Sequence, residues 1–313
     1  MRAATVENEQ IILSEHPDPE PGSGEVLIRV DSAGLNGADV MQRAGRYPAP
    51  PGSPADIPGL ELAGEVIELG PGQLRFEVGD RVMGIVGGGG QAELATVHER
   101  QLMPVPAALE GPAAGAFPEV FTTAHDAIFT QGGLRAGERI CVHGAAGGVG
   151  LAAIQLARSA GASVTATVRD ESRREAVAGF GAEVLAPEEF ADAGPFDVVL
   201  ELVGAPNLGA NLKALATGGR ICVIGVGGGA KGEINLLALM GKRATIRAST
   251  LRARPLEEKA ATARLVERHV LPLVEAGELS VSIDSTFPLA DAADAYERFT
   301  GGGKLGKVVL EIG

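Results

Sequence analysis

From about residue 120 to residue 250 the chain repeats one rhythm: a short apolar run, a glycine turn, an alanine-rich stretch, then another apolar run. The runs are Arg139–His143 (RICVH), Ser163–Val168 (SVTATV), Phe196–Val203 (FDVVLELV), Gly219–Gly225 (GRICVIG) and Arg243–Thr250 (RATIRAST). Between them lie helix-compatible stretches such as Val149–Ala160 and Asn207–Ala216. Short runs rich in Val and Ile read as strands, and a helix between successive strands carries the chain back so that the next strand runs parallel. The rhythm therefore predicts an α/β architecture with a doubly wound parallel sheet.

The first third is different. Glu25–Asp31 (EVLIRVD), Gly64–Leu69 (GEVIEL), Gly79–Met83 (GDRVM) and Gln91–Val97 are strand-like runs separated by turns. Pro17, Pro19, Pro21 and Gly22 mark one loop and Pro48–Pro54 another, a spacing that predicts a small twisted β domain. After Pro255 come an amphipathic stretch (Leu256–Ala276), a strand around Val281–Phe287, a helix over Asp291–Phe299 and a closing strand, Gly306–Ile312.

Charge narrows the function. With 27 basic against 40 acidic side chains the formal charge is −13, which argues against a nucleic-acid partner, since phosphate-backbone binding needs clustered Lys and Arg. The N-terminus turns polar at once, unlike a signal peptide, and no run reaches the roughly 18–20 apolar residues needed to cross a bilayer. The expectation is a soluble, cytoplasmic protein without a membrane partner. Cys141 and Cys222 each sit in an apolar strand-like run and read as buried core residues.

Ala145-Ala146-Gly147-Gly148-Val149-Gly150 joins a strand to an alanine-rich helix, with a second strand at the distance a dinucleotide fingerprint requires. Glycines there let the backbone approach a pyrophosphate, and the helix N-terminus offers free N–H groups and a partial positive charge. Ala146, Gly147, Gly148 and Val149 are therefore candidate phosphate contacts. The second strand ends at neutral Thr167-Val168 and is followed by Arg169-Asp170-Glu171-Ser172-Arg173-Arg174. Arg169 and Arg173 could together grip a 2′-phosphate, which favours NADPH over NADH. Alternatively the arginines are a solvated helix face, and Asp170 is either a ribose partner or a helix N-cap.

Several further segments carry a family resemblance. Asn36-Gly37-Ala38-Asp39-Val40-Met41-Gln42-Arg43-Ala44-Gly45-Arg46-Tyr47-Pro48, Pro58-Gly59-Leu60-Glu61, the glycine fingerprint, Ser249-Thr250-Leu251-Arg252-Ala253-Arg254 and Gly306-Lys307-Val308-Val309-Leu310 occur in that order. Together they resemble zinc-free quinone oxidoreductases of the medium-chain dehydrogenase/reductase superfamily, most closely the p53-inducible subgroup. The resemblance implies a GroES-like β domain over residues 1–120, completed by 255–313, and a Rossmann NADP-binding domain over 121–254. Where zinc alcohol dehydrogenases carry a ligand histidine and cysteine, this chain has Leu60 and Asn36, neither of which is a zinc ligand.

The resemblance also implies site residues. Asn36 and Tyr47 should lie beside the nicotinamide in the cleft between domains, with Thr123 on its nicotinamide side. Gly225, Val226, Ser249, Thr250 and Leu251 should line the nicotinamide and its carboxamide. Structural readings stand beside these: Asn36 and Asp39 as caps of a helix over Ala38–Ala44, Thr123 as a helix-start residue, and Tyr47 as a packed loop aromatic. Gln91 and Leu94 stand where relatives carry aromatics, which suggests a wider or more polar pocket; Glu201 should be structural.

The implied reaction is hydride transfer from NADPH to a quinone or similar conjugated carbonyl, without a metal. Asn36 and Tyr47 would orient the acceptor or donate to its developing oxyanion. An enone or enoyl reductase and a non-catalytic NADPH-binding protein are the alternatives. A homodimer is expected through the edge strand Arg243–Thr250.

Overall fold

The computed structural model describes residues 1–313. The chain forms two compact units, residues 1–122 with 251–313, and residues 123–250. The division between the units lies at 122/123 and 250/251, with Leu251 and Arg252 in the first unit.

The first unit opens with an antiparallel hairpin, β1 (Arg2–Glu7) and β2 (Gln10–Glu15), turning through Asn8 and Glu9 at positive φ. Then come β3 (Glu25–Gly34), β4 (Glu61–Leu69), β5 (Arg81–Ile85), β6 (Leu94–His98) and β7 (Leu102–Pro104). In the second unit follow β8 (Arg139–Val142), β9 (Ser163–Thr167), β10 (Glu183–Leu185), β11 (Phe196–Glu201), β12 (Leu215–Val223) and β13 (Thr245–Ala248). The return segment adds β14 (Ile283–Pro288) and β15 (Lys307–Glu311) to the first unit. There the sheet order is β14-β15-β3-β4-β5-β7, with β6 also pairing β3. β15 lies antiparallel to β3, Val309 opposite Gly34, so the last strand sits beside one of the first.

Inward-facing Val26, Ile28 and Val30 of β3 pack with Leu62 and Val66 of β4, Val82 of β5 and Val97 of β6. A second cluster joins Ala4 and Ile11 of the hairpin to Leu35, Tyr296, Val308 and Leu310. Each such aliphatic side chain contributes about 1.5–3 kcal/mol on burial, which is how a segment more than 250 residues away in sequence is held to the N-terminal sheet.

The amphipathic stretch Leu256–Ala276 forms two helices, Leu256–His269 and Leu271–Glu275. Pro272 explains the break: it has no N–H for the ladder and its ring crowds the preceding turn, so it is tolerated only where a helix begins.

In the second unit the six parallel strands are ordered β10-β9-β8-β11-β12-β13, the doubly wound 3-2-1-4-5-6 arrangement. Cys141, Phe190, Phe196, Val199, Leu215 and Ile221 form part of its core. Both cysteines are buried, and burial pushes the Cys222 thiol up to about 11 and that of Cys141 higher still. No helix in the chain is long and apolar enough to cross a membrane.

Candidate functional site

Because the strands of the second unit are all parallel, their carboxyl ends share one edge, and the expected cofactor residues leave from it. Ala146, Gly147, Gly148 and Val149 follow β8; Arg169 and Arg173 follow β9; Gly225 and Val226 follow β12; Ser249 and Thr250 follow β13. Gly147 is the N-cap of helix Gly148–Ser159, and a Cβ placed on it would meet only Gly144 O, 3.5 Å away. The backbone there is open to a ligand, above the N–H groups that a helix start leaves unbonded. Gly150 has the opposite environment: a Cβ would lie 2.6 Å from Ala145 Cα, so only glycine lets helix and loop approach so closely.

Thr123 is buried on the helix Pro118–His125, at the start of this unit. Ser249 N–H donates to Val223 O at 3.3 Å, and its hydroxyl lies 3.4 Å from Asp126 Oδ2. Leu251 follows Thr250 directly, at the point where the chain passes into the first unit.

The turn after β9 sorts the charged residues. Asp170 caps the short helix Glu171–Arg173, accepting from Ser172 N at 3.1 Å and Ser172 Oγ at 2.7 Å. It also pairs with Arg173 Nε at 2.8 Å, so Arg173 is already engaged. Arg174, not singled out in the sequence, donates through Nε to Val168 O at the strand end. Arg169 is exposed and makes no ion pair or hydrogen bond within the chain.

Beneath this edge runs a buried polar chain. Asn211 Nδ2 donates to Glu201 Oε2 at 2.7 Å, and since a carboxylate only accepts, Asn211 Oδ1 must face His143. His143 Nε2 then carries the proton and donates over 2.7 Å, while Nδ1 accepts from the Thr167 hydroxyl at 2.9 Å. Burial holds the His143 pKa below the usual histidine range, which fits a neutral ring. Glu201 Oε1 accepts from Val203 N at 2.6 Å and Gly204 N at 2.8 Å. The network fixes the ends of β8, β9 and β11; it is structural, as expected for Glu201.

In the first unit, Asn36 is the N-cap of helix Gly37–Arg43, and its N–H donates to Asp39 Oδ2 at 2.8 Å. Its side chain is held on every side. Lys307 Nζ donates to Asn36 Oδ1 at 2.7 Å, to Leu35 O at 2.6 Å and to Glu61 Oε1 at 2.6 Å. Asn36 Nδ2 donates to Glu61 Oε1 at 2.9 Å and Gly34 O at 3.2 Å. An ammonium only donates and a carboxylate only accepts, so the amide orientation is forced. Both amide protons are spent, and the oxyanion-donor role expected of Asn36 is closed in this arrangement. The Lys307–Glu61 pair is fully buried, and Gly34 makes room for it: a Cβ there would collide with Glu61 Oε1.

Asp39 also accepts from Gly59 N at 3.1 Å, and burial, opposed by these backbone donors, pushes its carboxyl up to about 7. Gln91 is buried and bridges the Tyr296 hydroxyl, at 3.0 Å, to Asp39 Oδ2, at 3.5 Å. It therefore supports the core, and the wider or more polar pocket expected from it does not follow.

Tyr47 is half-buried, and its hydroxyl bonds to no other group of the chain. Its ring is packed against Arg252, whose guanidinium carbon sits 5.1 Å from the ring centre. Arg252 is itself buried, donating to Tyr47 O at 3.0 Å, Gly87 O at 2.8 Å and Gln42 Oε1. This clamp was not read from the sequence, although its motif, Leu251-Arg252-Ala253-Arg254, was noted there.

Comparison with known proteins fits this geometry. Residues 22–107 match the alcohol dehydrogenase GroES-like domain, and residues 169–310 match the family described as zinc-binding dehydrogenase. A quinone oxidoreductase of Rattus norvegicus is 35% identical over 305 residues, covering 93% of this chain and 90% of that protein. A solved alcohol dehydrogenase superfamily protein from Novosphingobium aromaticivorans is 31% identical, with a TM-score of 0.89 over 100% of both chains. A mycobacterial protein solved in complex with NADPH is 26% identical, with a TM-score of 0.87 over 99% of this chain and 100% of that one.

The zinc in the one family description finds no ligand set here. Leu60 is a buried hydrocarbon, the Asn36 amide oxygen is occupied by the Lys307 ammonium, and no three His, Cys, Asp or Glu side chains converge anywhere. With a GroES-like domain, a doubly wound sheet and near full-length relatives, the chain belongs to the quinone oxidoreductase family of the medium-chain dehydrogenase/reductase superfamily.

Proposed function

We propose that the protein is an NADPH-dependent, zinc-independent oxidoreductase that reduces quinones or similar electron-poor acceptors. The observation that carries this reading is the closed Asn36–Lys307–Glu61 network beside Leu60. Where a metal-dependent relative would stabilise an alkoxide, this chain has no ligand set, and the Asn36 side-chain amide has no donor to spare. The acceptor must then disperse its own charge. A quinone does so, because hydride addition yields an aromatic, delocalised hydroquinone anion.

The bound cofactor supplies the hydride. The start of helix Gly148–Ser159 would hold its pyrophosphate, and Arg169 would take the 2′-phosphate. Gly225, Val226, Ser249 and Thr250, with Thr123, would border the nicotinamide. From the first unit, the unengaged Tyr47 hydroxyl would donate to the acceptor oxygen, while Asn36 keeps the local backbone fixed. Correct placement of donor and acceptor can supply about 7–11 kcal/mol of the barrier reduction. On this reading the protein acts in the cytoplasm as a homodimer paired through β13.

The test is NADPH oxidation with a naphthoquinone after dialysis against a chelator. Activity should survive chelation, and Tyr47→Phe should lower kcat about tenfold, the equivalent of one hydrogen bond of roughly 1.4 kcal/mol. Loss of activity on chelation with recovery only on adding zinc defeats the proposal. The free Tyr47 hydroxyl also favours a second reading, reduction of an activated carbon–carbon double bond, in which it would pass a proton to carbon. Faster turnover of an α,β-unsaturated aldehyde than of the naphthoquinone, with a larger Tyr47→Phe effect, would select that reading.

A further inference from the structure

We propose that a cavity of about 470 Å³ contained in the first unit, lined by Arg252, Arg254 and Lys259, binds an oxyanion: a phosphate, sulfonate or carboxylate group. Its walls are the proline loop at 50–54 and the Gly87–Gly89 turn, with β6 on one side. Arg252 is 2% exposed, and all its partners are neutral oxygens: two backbone carbonyls and an amide. Its charge is thus hydrogen-bonded but meets no carboxylate at ion-pair distance. Lys259 is half-buried in the same wall and makes no hydrogen bond or ion pair within the chain.

Burial, together with the Arg252 charge, holds the Lys259 pKa below the usual lysine range, so the two cations feel each other. Like charges brought together at reduced dielectric are unfavourable unless an anion joins them. The fold supplies none at Lys259. Glu25, the acid in the lining, accepts from Gly22 N at 2.9 Å; Glu257 pairs with Arg100 at 2.6 Å; Glu258 lies 4.0 Å from Arg254. The fourteen-residue helix Leu256–His269 also begins at this wall, adding the positive end of its dipole. In a chain of net charge −13 such a concentration of cations points to a ligand.

Two sources share this chemistry: free inorganic phosphate, or an anionic group carried on the acceptor. The binding test is calorimetric titration of inorganic phosphate into protein saturated with NADPH, whose own phosphates fill the helix start in the second unit. One binding event is expected, weakened at least tenfold by Lys259→Met, kept by Lys259→Arg and unchanged by Arg169→Ala. Removing an unpaired, half-buried ammonium should leave Tm unchanged or raised, which separates lost binding from lost folding. The second arm compares kcat/KM for a sulfonated and an uncharged naphthoquinone. A preference for the sulfonate that disappears in Lys259→Met assigns the anion to the acceptor; phosphate binding with no such preference assigns it to the free ion. Absence of binding, or binding that survives Lys259→Met, overturns the proposal. The titration needs bound NADPH but no turnover, so its failure is distinct from failure of the hydride-transfer reading, on which only the second arm rests.

Discussion

Lys307 and Glu61 meet at 2.6 Å with water excluded from both, so removing either leaves the other's charge with neutral partners only, Asn36 and Leu35 O for Lys307, Asn36 and the Glu119 N–H for Glu61. Lys307→Met should destabilise the protein by about 3–5 kcal/mol, the range for breaking a buried pair, while Lys307→Met with Glu61→Gln should recover part of that. Urea unfolding measures both; a single variant within 1 kcal/mol of wild type would mean that water reaches the pair. Asp39 makes a second residue-scale prediction. Its carboxyl titrates near 7 in the folded chain against an ordinary value of 3.8. Between those pH values the folded protein holds a proton that the unfolded chain has released, so this group lowers stability as pH rises from 4 to 7, by on the order of 3 kcal/mol. His143 acts with the opposite sign: its depressed pKa favours the folded state above the ordinary histidine range and disfavours it below. Asp39→Asn should therefore remove the falling limb and leave the rise due to His143, as read from Tm against pH. A profile of unchanged slope would show that Asp39 is ionised throughout.

Among elements, the turn after β9 bears most directly on cofactor choice. Arg173 is neutralised by Asp170 and Arg174 leans on the strand end, which leaves Arg169 as the uncommitted guanidinium. Arg169→Ala should cut the kcat/KM ratio of NADPH to NADH at least tenfold, mostly through KM; an unchanged ratio would move 2′-phosphate recognition to another residue. The sequence made this turn legible because Asp followed by a helical run is a cap signal whatever the tertiary context. The central parallel strands β8, β9 and β11 were legible for a related reason: buried on both faces, they read as largely apolar runs. Other elements carried weaker signals. β1 and β2 pair two runs of mixed polarity, β10 has only three residues, and helix Pro118–His125 buries its polar Thr122, Thr123 and His125 along with its apolar residues, so its polar positions mark no exposed face. At the site, Asn36 and Tyr47 were visible by motif, but their roles were not. The orientation of the Asn36 amide depends on Lys307, 271 positions away, and the clamp on Tyr47 comes from Arg252, 205 positions away. Such partners are set by sheet topology, which no local pattern encodes.

For the whole molecule, assembly is the open consequence of the fold. β13 ends the six-stranded sheet, pairing only with β12, and so presents a row of unpaired backbone groups along its outer side. Helix Leu236–Lys242 feeds into it. Its run, Leu236-Leu237-Ala238-Leu239-Met240, has the composition of a core helix, yet Leu236, Leu237 and Met240 are 63%, 77% and 71% exposed. A polar cap on the edge strand would suffice to block pairing; this chain instead sets apolar side chains next to it, the combination expected where a second copy docks. Net charge opposes association, since two chains of −13 repel, but that repulsion is screened beyond about 8 Å at physiological salt, whereas apolar burial is not. Light scattering at micromolar concentration should give twice the 31.9 kDa of one chain, and the dimer should tighten as salt is raised. Leu237→Glu with Met240→Glu should halve the mass while leaving NADPH affinity within a few-fold, because neither residue follows a strand at the cofactor edge. A wild-type monomer at that concentration would show that the exposed helix serves something other than a second copy.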